Sequence, residues 1–295
     1  MHMQPLRIEP VTAANCGPYL AYTYRSYRPC FRDERTLALS GLIAFRASLG
    51  ETPAGMIVAH ADKPNGRSRL LSVFVEGRFR KQGIGRALLD ALVTHLMREK
   101  LPCIDAEYFA LPNIAPFERL LGSGGWERPA PYSRFYRFDM AELARADWLR
   151  IDRLPSRYRI VPWSPELAER IAALPLSEEA EYRSYFDPNR QPELIDRDCS
   201  FILLDGEQPA GWSIVDRDGG DVLLYRAVYL REAYRKSWLG IALAVRTTHA
   251  GLATGVPVCV IQVRDGNGQM EGIIRRLVMP LQPKVTEVRT SFRPL

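Results

Sequence analysis

Short apolar runs alternate with turn residues through the first half of the chain. Runs of this length, bounded by Gly, Pro, Asn or Asp, are typical of β-strands. The turns GETP at 50–53 and DKPNG at 62–66 separate three of them. The pattern predicts strands at 6–11, 41–49, 54–61, 70–75, 103–110 and 133–138.

Helical spacing appears between these strands. From Ile84 onward, apolar residues recur every three or four positions, with charged residues on the opposite side, as expected of an amphipathic helix. A second helix is predicted around IAPFERLL at 114–121, and a helical, Tyr-rich region at 13–39. Strands with helices between them predict an α/β protein with layered architecture.

The second half of the chain repeats the first. LRIEPVTA at 6–13 resembles YRIVPWSP at 158–165, and GETPAGMIVA at 50–59 resembles GEQPAGWSIV at 206–215. SVFVEGRFRKQGIG at 72–85 resembles AVYLREAYRKSWLG at 227–240. Three matches in the same order at nearly constant spacing indicate two copies of one domain.

A domain boundary is predicted between the copies. The stretch that starts at Asp139 has helical periodicity and then reaches Pro155, so a short helix and a boundary are expected near 145–156. The first domain is predicted at 1–145 and the second at 157–295. The length of 295 residues suits two ordinary domains.

Composition narrows the function classes. The longest apolar runs are far shorter than a membrane span, so we expect a cytoplasmic protein without a membrane partner. The net charge of +6 favours a polyanionic ligand or an acidic partner, but no nucleic-acid recognition motif accompanies it. The five cysteines lack a CxxC pair and the four histidines lack metal spacing, which predicts neither a disulfide framework nor a metal.

A candidate phosphate site lies where the fourth strand meets the long helix. The sequence there is RKQGIGR at 80–86. Glycines let backbone N–H groups approach an anion, and a helix N-terminus adds its positive dipole end. Arg80, Lys81 and Arg86 add positive charge, although solvent-facing positions would equally suit the last two.

These features together resemble the GNAT superfamily of acyl-CoA dependent N-acetyltransferases. Arg80, Gly83 and Gly85 fit the Arg-x-x-Gly-x-Gly pyrophosphate motif of that family, between a strand and a helix. The resemblance implies two tandem GNAT-like domains, each a mixed, mostly antiparallel twisted sheet flanked by helices. It also implies acetyl-CoA as acyl donor and, as acceptor, a primary amine of a small molecule or peptide.

The resemblance extends to individual cofactor-binding positions. It implies that the pyrophosphate turn uses Arg80, Lys81, Gln82, Gly83, Ile84, Gly85 and Arg86. Val73, Phe74 and Val75 match the strand whose backbone holds the pantetheine arm and polarises the thioester carbonyl. Asn113 matches an asparagine that contacts the cofactor arm, and a helix N-cap is an alternative role for it.

The sequence alone leaves the catalytic groups open. Some family members keep a carboxylate five residues before the asparagine, a position that is Tyr108 here, with Glu107 adjacent. Neighbouring strand residues face opposite ways, so only one of the two can face the acceptor. The general-acid tyrosine of the family is replaced by Leu120, which leaves Tyr132, Tyr136 or no dedicated acid. Glu76 is a further candidate base.

Two other regions bear on the acceptor. The resemblance implies that YLAYTYRSYRPCF at 19–31 lines the acceptor entrance, whereas core packing is the alternative for its aromatic residues. In the second copy Trp238 stands where the first has Gly83, which predicts a degenerate domain. Its expected roles are to complete the acceptor site, to pack against the first domain, or to form a homodimer.

Two other functions compete with acetyl transfer. A non-catalytic module that binds acyl-CoA is compatible with Leu120 in place of the tyrosine. An aminoacyl-tRNA dependent transferase is compatible with the basic charge, but the intact pyrophosphate turn disfavours it, since such enzymes need no coenzyme A.

Overall fold

The computed structural model describes residues 5–151, 154–176, 186–235 and 237–295. Of the segment predicted to join the domains, residues 152 and 153 lie outside this description. The chain packs into two compact units. Unit 1 comprises residues 1–132 and 287–295, and unit 2 comprises residues 133–286.

Strands and helices alternate as the sequence pattern predicts. The strands are β1 Leu6–Pro10, β2 Leu42–Leu49, β3 Thr52–Asp62, β4 Arg67–Val75, β5 Cys103–Phe109, β6 Ala130–Asp139, β7 Tyr158–Pro162, β8 Phe201–Asp205, β9 Gln208–Asp218, β10 Val222–Leu230, β11 Val258–Arg264 and β12 Lys284–Pro294. The α-helices are α1 Glu34–Leu39, α2 Ile84–Arg98, α3 Ala115–Ser123, α4 Met140–Leu143, α5 Pro165–Ala172, α6 Leu239–Ala253 and α7 Gly268–Ile273. The protein is therefore an α/β protein with mixed sheets.

Unit 1 is built on a sheet with the order β1-β2-β3-β4-β5-β12. All of its pairings are antiparallel except the one between β4 and β5. One face packs against α2, whose residues Ile84, Leu88, Leu92 and Leu96 are fully or almost fully buried. Burying apolar side chains between a helix and a sheet is the main stabilising contribution to such a layer.

The opposite face of the unit 1 sheet is covered by the Tyr-rich segment. This segment is less regular than the predicted helix, since it forms two 3₁₀ turns, Gly17–Tyr22 and Arg25–Phe31, before α1. Tyr19 and Phe31 are buried there, beside Met56 and Val58 of β3.

Unit 2 repeats this design with the order β7-β8-β9-β10-β11 followed by β6. Here α6 takes the place of α2, and only β10 and β11 pair in parallel. Leu239 and Leu243 of α6 are buried against Phe201 and Leu203 of β8.

The last strand of each copy belongs to the other unit. From Ser133 onward β6 pairs with β11, and from Val288 onward β12 pairs with β5, antiparallel in both cases. Compact packing therefore divides the chain differently from the sequence repeat. The domain boundary predicted near 145–156 concerns the repeat and stays a prediction.

Candidate functional site

A gap opens between β4 and β5 of unit 1. The two strands pair only at Arg69 with Asp105 and at Leu70 with Ala106, although β4 continues to Val75. A β-bulge follows at once, because the β3 partner register shifts between Leu70 and Ser72. A bulge bends and twists its strand, which accounts for the divergence of β4 from β5.

The bulge also sets which side chains face which layer. Val73 and Val75 pack on the α2 side, with Leu70. Phe74 faces the Tyr-rich segment, where it stacks on Tyr22 with ring centroids 5.0 Å apart. Beyond Leu70, β4 has a described partner strand only in β3. The backbone of Val73, Phe74 and Val75, which was expected to hold a pantetheine arm, therefore borders the gap.

The turn that leads into α2 ends in a left-handed glycine. Gly83 has φ of 81° and is the N-cap of α2, and a Cβ built on it would meet nothing within 4 Å. The first helical hydrogen bond runs from the Ala87 N–H to the Gly83 carbonyl. The N–H groups of Ile84, Gly85 and Arg86 therefore lie in the first turn without a helical acceptor, as an anion site requires.

The cations of the turn differ in their surroundings. Arg80 donates from Nε to the Val75 carbonyl at 3.0 Å, and its guanidinium lies 5.8 Å from the Phe74 ring centroid. Arg86 is bound to the Asp90 carboxylate at 2.8 Å and also donates to the Ser123 carbonyl. Lys81 and Gln82 are exposed. Arg86 can therefore contribute its backbone N–H more readily than its side chain.

Asn113 does not cap the helix that follows it. The N-cap of α3 is Ile114, without a side-chain hydrogen bond, and Asn113 is exposed. In unit 2, by contrast, Asn267 caps α7 by accepting from the Met270 N–H at 3.0 Å. The alternative role of a helix N-cap is therefore wrong for Asn113, whereas Asn267 has that role in the second copy.

Glu107 and Tyr108 face opposite sides of β5, as strand geometry predicts. Glu107 lies 3.2 Å from the Arg69 guanidinium, which also binds Asp105 at 2.6 Å. Arg69 lies on the face that carries Phe74 and the Tyr-rich segment, because Leu70 beside it packs on the α2 side. The Glu107 carboxylate is thus on the Tyr-rich face.

Tyr108 faces the helices and joins a charged network that the sequence did not reveal. Its hydroxyl donates to Glu118 of α3 at 3.1 Å, and Arg289 of β12 donates to the same carboxylate at 2.9 Å. Burial, followed by the Glu118 charge, raises the pKa of Tyr108. Arg289 could not be connected to Tyr108 from the sequence, since it lies in the other copy of the repeat.

The remaining candidates have distinct environments. The Leu120 side chain packs close to Gly85, since a Cβ built on that glycine would lie 3.5 Å from Leu120 Cδ2. An apolar side chain therefore lies at the position where the resemblance implied a general-acid tyrosine. Tyr136 is 6% exposed in the core of unit 2. Glu76 caps the turn after β4 by accepting from the Gly77 N–H at 2.9 Å. Burial and the Glu76 charge raise the pKa of Tyr22.

Unit 2 keeps the gap but not the turn. Its parallel pairing ends at Tyr225 with Ile261 and is followed by a bulge. Arg235 binds the Leu230 carbonyl at 3.0 Å, as Arg80 binds that of Val75. Trp238, however, has φ of −79°, so the left-handed N-cap of α2 has no counterpart there.

The described residues contain neither a membrane-spanning helix nor a metal cluster. No helix in the described ranges is long and apolar enough to cross a membrane. Within the same ranges, no group of three or more His, Cys, Asp or Glu side chains is arranged to hold a metal ion.

Comparison with known proteins identifies the fold. Residues 9–122 match the model of the acetyltransferase (GNAT) family. A tandem GNAT protein from the clavulanic acid biosynthesis pathway aligns over 98% of both chains, with a TM-score of 0.67 and 18% identity. A GCN5-related N-acetyltransferase from Sphaerobacter thermophilus aligns over 98% of this chain and 95% of its own, with a TM-score of 0.62 and 13% identity.

A further solved structure contains a similar region within a larger protein. It is the glucosamine N-acetyltransferase region of a fungal multi-domain GH3 β-N-acetylglucosaminidase, with a TM-score of 0.69 and 11% identity over 98% of this chain and 38% of that one. No curated protein sequence matches. The chain thus carries a GNAT domain at residues 9–122 and has the fold of tandem GNAT proteins, which confirms the predicted family and fold class.

Proposed function

We propose that unit 1 is an acyl-CoA dependent N-acyltransferase that moves an acetyl group from acetyl-CoA to a primary amine of a small molecule or peptide. The observation that carries the proposal is the open, left-handed Gly83 turn at the start of α2, next to a strand whose edge is unpaired beyond Leu70. The GNAT family match over the same residues supports it. The cytoplasm stays the expected location.

The residues present suit coenzyme A in two respects. The space above Gly83 and the N–H groups of Ile84, Gly85 and Arg86 suit a pyrophosphate. The free edge of β4 at Val73, Phe74 and Val75 suits a pantetheine arm, whose amides pair as a strand does. Arg80, Lys81, Gln82 and Asn113 would contribute from the exposed side. When bound, acetyl-CoA supplies the activated acetyl group.

Of the two candidate bases, Glu107 is favoured. A general base must be deprotonated at the working pH. Because the pKa of Tyr108 is raised, its hydroxyl keeps its proton and cannot accept another at neutral pH. Glu107, paired with Arg69, can accept the proton of an ammonium group on the Tyr-rich face. The Tyr108 hydroxyl retains a proton and can act only as a donor.

Calorimetric titration with acetyl-CoA tests the proposal. We expect one site per chain, lost in Gly83→Trp because the new side chain fills the turn and strains a left-handed position. Gly206→Trp is the matched control, since Gly206 also has positive φ and open space around it but lies in the β8–β9 turn. Two sites would show that unit 2 binds despite Trp238. No binding at micromolar concentrations would refute the proposal.

A non-catalytic acyl-CoA sensor is the second candidate, favoured by Leu120 at the tyrosine position. Release of free thiol from acetyl-CoA in the presence of a panel of amines separates the two. Binding without thiol release from any amine would favour the sensor.

A further inference from the structure

A groove of about 380 Å³ opens in unit 2 beside the outer face of α6. It lies between that helix and the segment that leads into β8, and Phe201, Ala250 and Ala253 form part of its apolar lining. Arg197, Arg246 and His249 bring positive or protonatable groups to it, and Asp198 is the acidic residue among its lining side chains. The proposed acyl-CoA site does not include it.

Both arginines are held over aromatic rings. The Arg197 guanidinium lies 5.4 Å from the Trp163 ring centroid, and that of Arg246 lies 5.3 Å from the Phe201 centroid. Stacking orders a guanidinium while its N–H groups stay free at the edge, where a planar or tetrahedral oxyanion can be bound by two donors at once. Each cation thus already contacts a ring at the groove before a ligand arrives.

The charges of these arginines are not neutralised by close ion pairs. Within the described ranges, no carboxylate lies within salt-bridge distance of Arg197 or Arg246. The pKa of Glu166 is lowered, first by its hydrogen bond to Ser164 and last by the Arg197 charge, so this carboxylate interacts with Arg197 electrostatically without a close ion pair. His249 is fixed through Nε2, which lies 2.9 Å from the Leu149 carbonyl oxygen.

The side chains that form the groove differ between the two units. α2 and α6 have the same length, and their first residues place Ala250 at the position of His95 and Arg246 at that of Ala91. In unit 1 the His95 ring packs edge-on against Phe45, with centroids 5.7 Å apart. In unit 2 Ala250 carries no ring, and the Arg246 guanidinium lies against the corresponding Phe201 instead.

We propose that this groove binds a small molecule that carries a phosphate monoester on an aromatic or other apolar body. The two stacked guanidiniums bind the phosphate oxygens, and the apolar lining around Phe201 and Ala250 receives the body. The inference is independent of the proposed acyl transfer, because every residue in it belongs to unit 2.

Titration of the full chain with phenyl phosphate, followed by ³¹P NMR and calorimetry, tests the inference. We expect saturable binding that weakens at least about tenfold in Arg197→Gln and in Arg246→Gln, the cost of one charged hydrogen-bond donor pair. Arg145→Gln is the control, since Arg145 is an exposed arginine of unit 2 that pairs with Glu142. Its binding should equal that of the unchanged protein.

Ala250→Leu separates shape from charge. The larger apolar side chain adds no charge, so we expect it to fill part of the groove and weaken phenyl phosphate binding by a similar factor while both arginines remain. Inorganic phosphate should bind more weakly than phenyl phosphate. The inference is overturned if phenyl phosphate does not saturate at millimolar concentrations, or if it binds Arg197→Gln, Arg246→Gln and Ala250→Leu as well as it binds Arg145→Gln.

Discussion

At the scale of single residues, Glu107 and Tyr108 show how one strand presents different chemistry on its two faces. Glu107 shares Arg69 with Asp105 on the Tyr-rich face, whereas Tyr108 donates to Glu118 among the helices. Since the pKa of Tyr108 is raised, its hydroxyl stays protonated at neutral pH and is not available to accept a proton. We therefore propose the Glu107 carboxylate as the proton acceptor.

Replacement of Glu107 by Gln tests that assignment. We expect kcat with a primary amine to fall about 100-fold or more, the usual contribution of a general base. Acetyl-CoA affinity should be unchanged, because the proposed coenzyme contacts are the start of α2 and the backbone of β4, whereas Glu107 offers only a side chain of β5 that pairs with Arg69.

Asp105→Asn is the control, since it removes the other carboxylate from Arg69 and leaves Glu107 in place. If it slows the reaction as much as Glu107→Gln does, the carboxylates act by positioning Arg69. If Tyr108→Phe lowers kcat about 100-fold and Glu107→Gln does not, the tyrosine is the base and the assignment is wrong.

At the scale of elements, the path of β4 depends on a close approach of two strands. A Cβ on Gly55 of β3 would lie 2.5 Å from the Phe74 carbonyl oxygen, and one on Gly211 of β9 would lie 2.5 Å from that of Tyr229. The two glycines occupy equivalent positions of the repeat. Both copies therefore have glycine where a side chain would clash with the carbonyl of the strand that borders the gap.

Gly55→Ala should therefore destabilise the protein by roughly 1 to 3 kcal/mol, the usual cost of overpacking. The clash is with backbone, so β4 must shift, and acetyl-CoA binding should weaken along with stability. Urea unfolding and calorimetry measure the two effects. Gly77→Ala is the comparison, since its Cβ would meet nothing within 4 Å. Equal stability of the two variants would contradict the close approach.

Local sequence was enough to predict most elements but not the Tyr-rich segment. The helix predicted from Ile84 runs to Arg98, and the strand predicted at 103–110 is found at Cys103–Phe109. Apolar periodicity fixes such elements because each buries one face. The Tyr-rich segment forms 3₁₀ turns instead, with Pro18 and Pro29 in them, and its shape follows from packing on β3 and β4.

At the scale of the whole molecule, the exchange of last strands connects the two copies of the repeat. β12 pairs with β5 through seven register positions from Val288 to Pro294, and Leu295 packs against the core of unit 1. Nothing in the sequence distinguishes this from pairing within the second copy, because both edges would accept the same alternating strand. The contact of Arg289 with Glu118, beside Tyr108, could therefore not be predicted from the sequence.

The exchange makes the second copy necessary for the proposed acyl-CoA site of unit 1. Val288 is 3% exposed, and Val288→Asp would place a carboxylate in its buried position at a cost on the order of 4 kcal/mol. We expect hydrogen exchange to rise first in peptides from β5 and acetyl-CoA binding to weaken more than tenfold. Val285→Asp, in the same strand at 43% exposure, should leave both unchanged.

The peptides whose hydrogen exchange rises decide between two arrangements of the last strand. If β12 stabilises unit 1, the β5 peptides lose protection while those of β8 and β9 keep theirs, because those strands lie in unit 2. If the last strand instead belonged to its own copy, β11 peptides would lose protection and acetyl-CoA would bind as before. That second outcome would contradict the exchange of last strands between the copies. The first copy would then suffice to form the proposed acyl-CoA site.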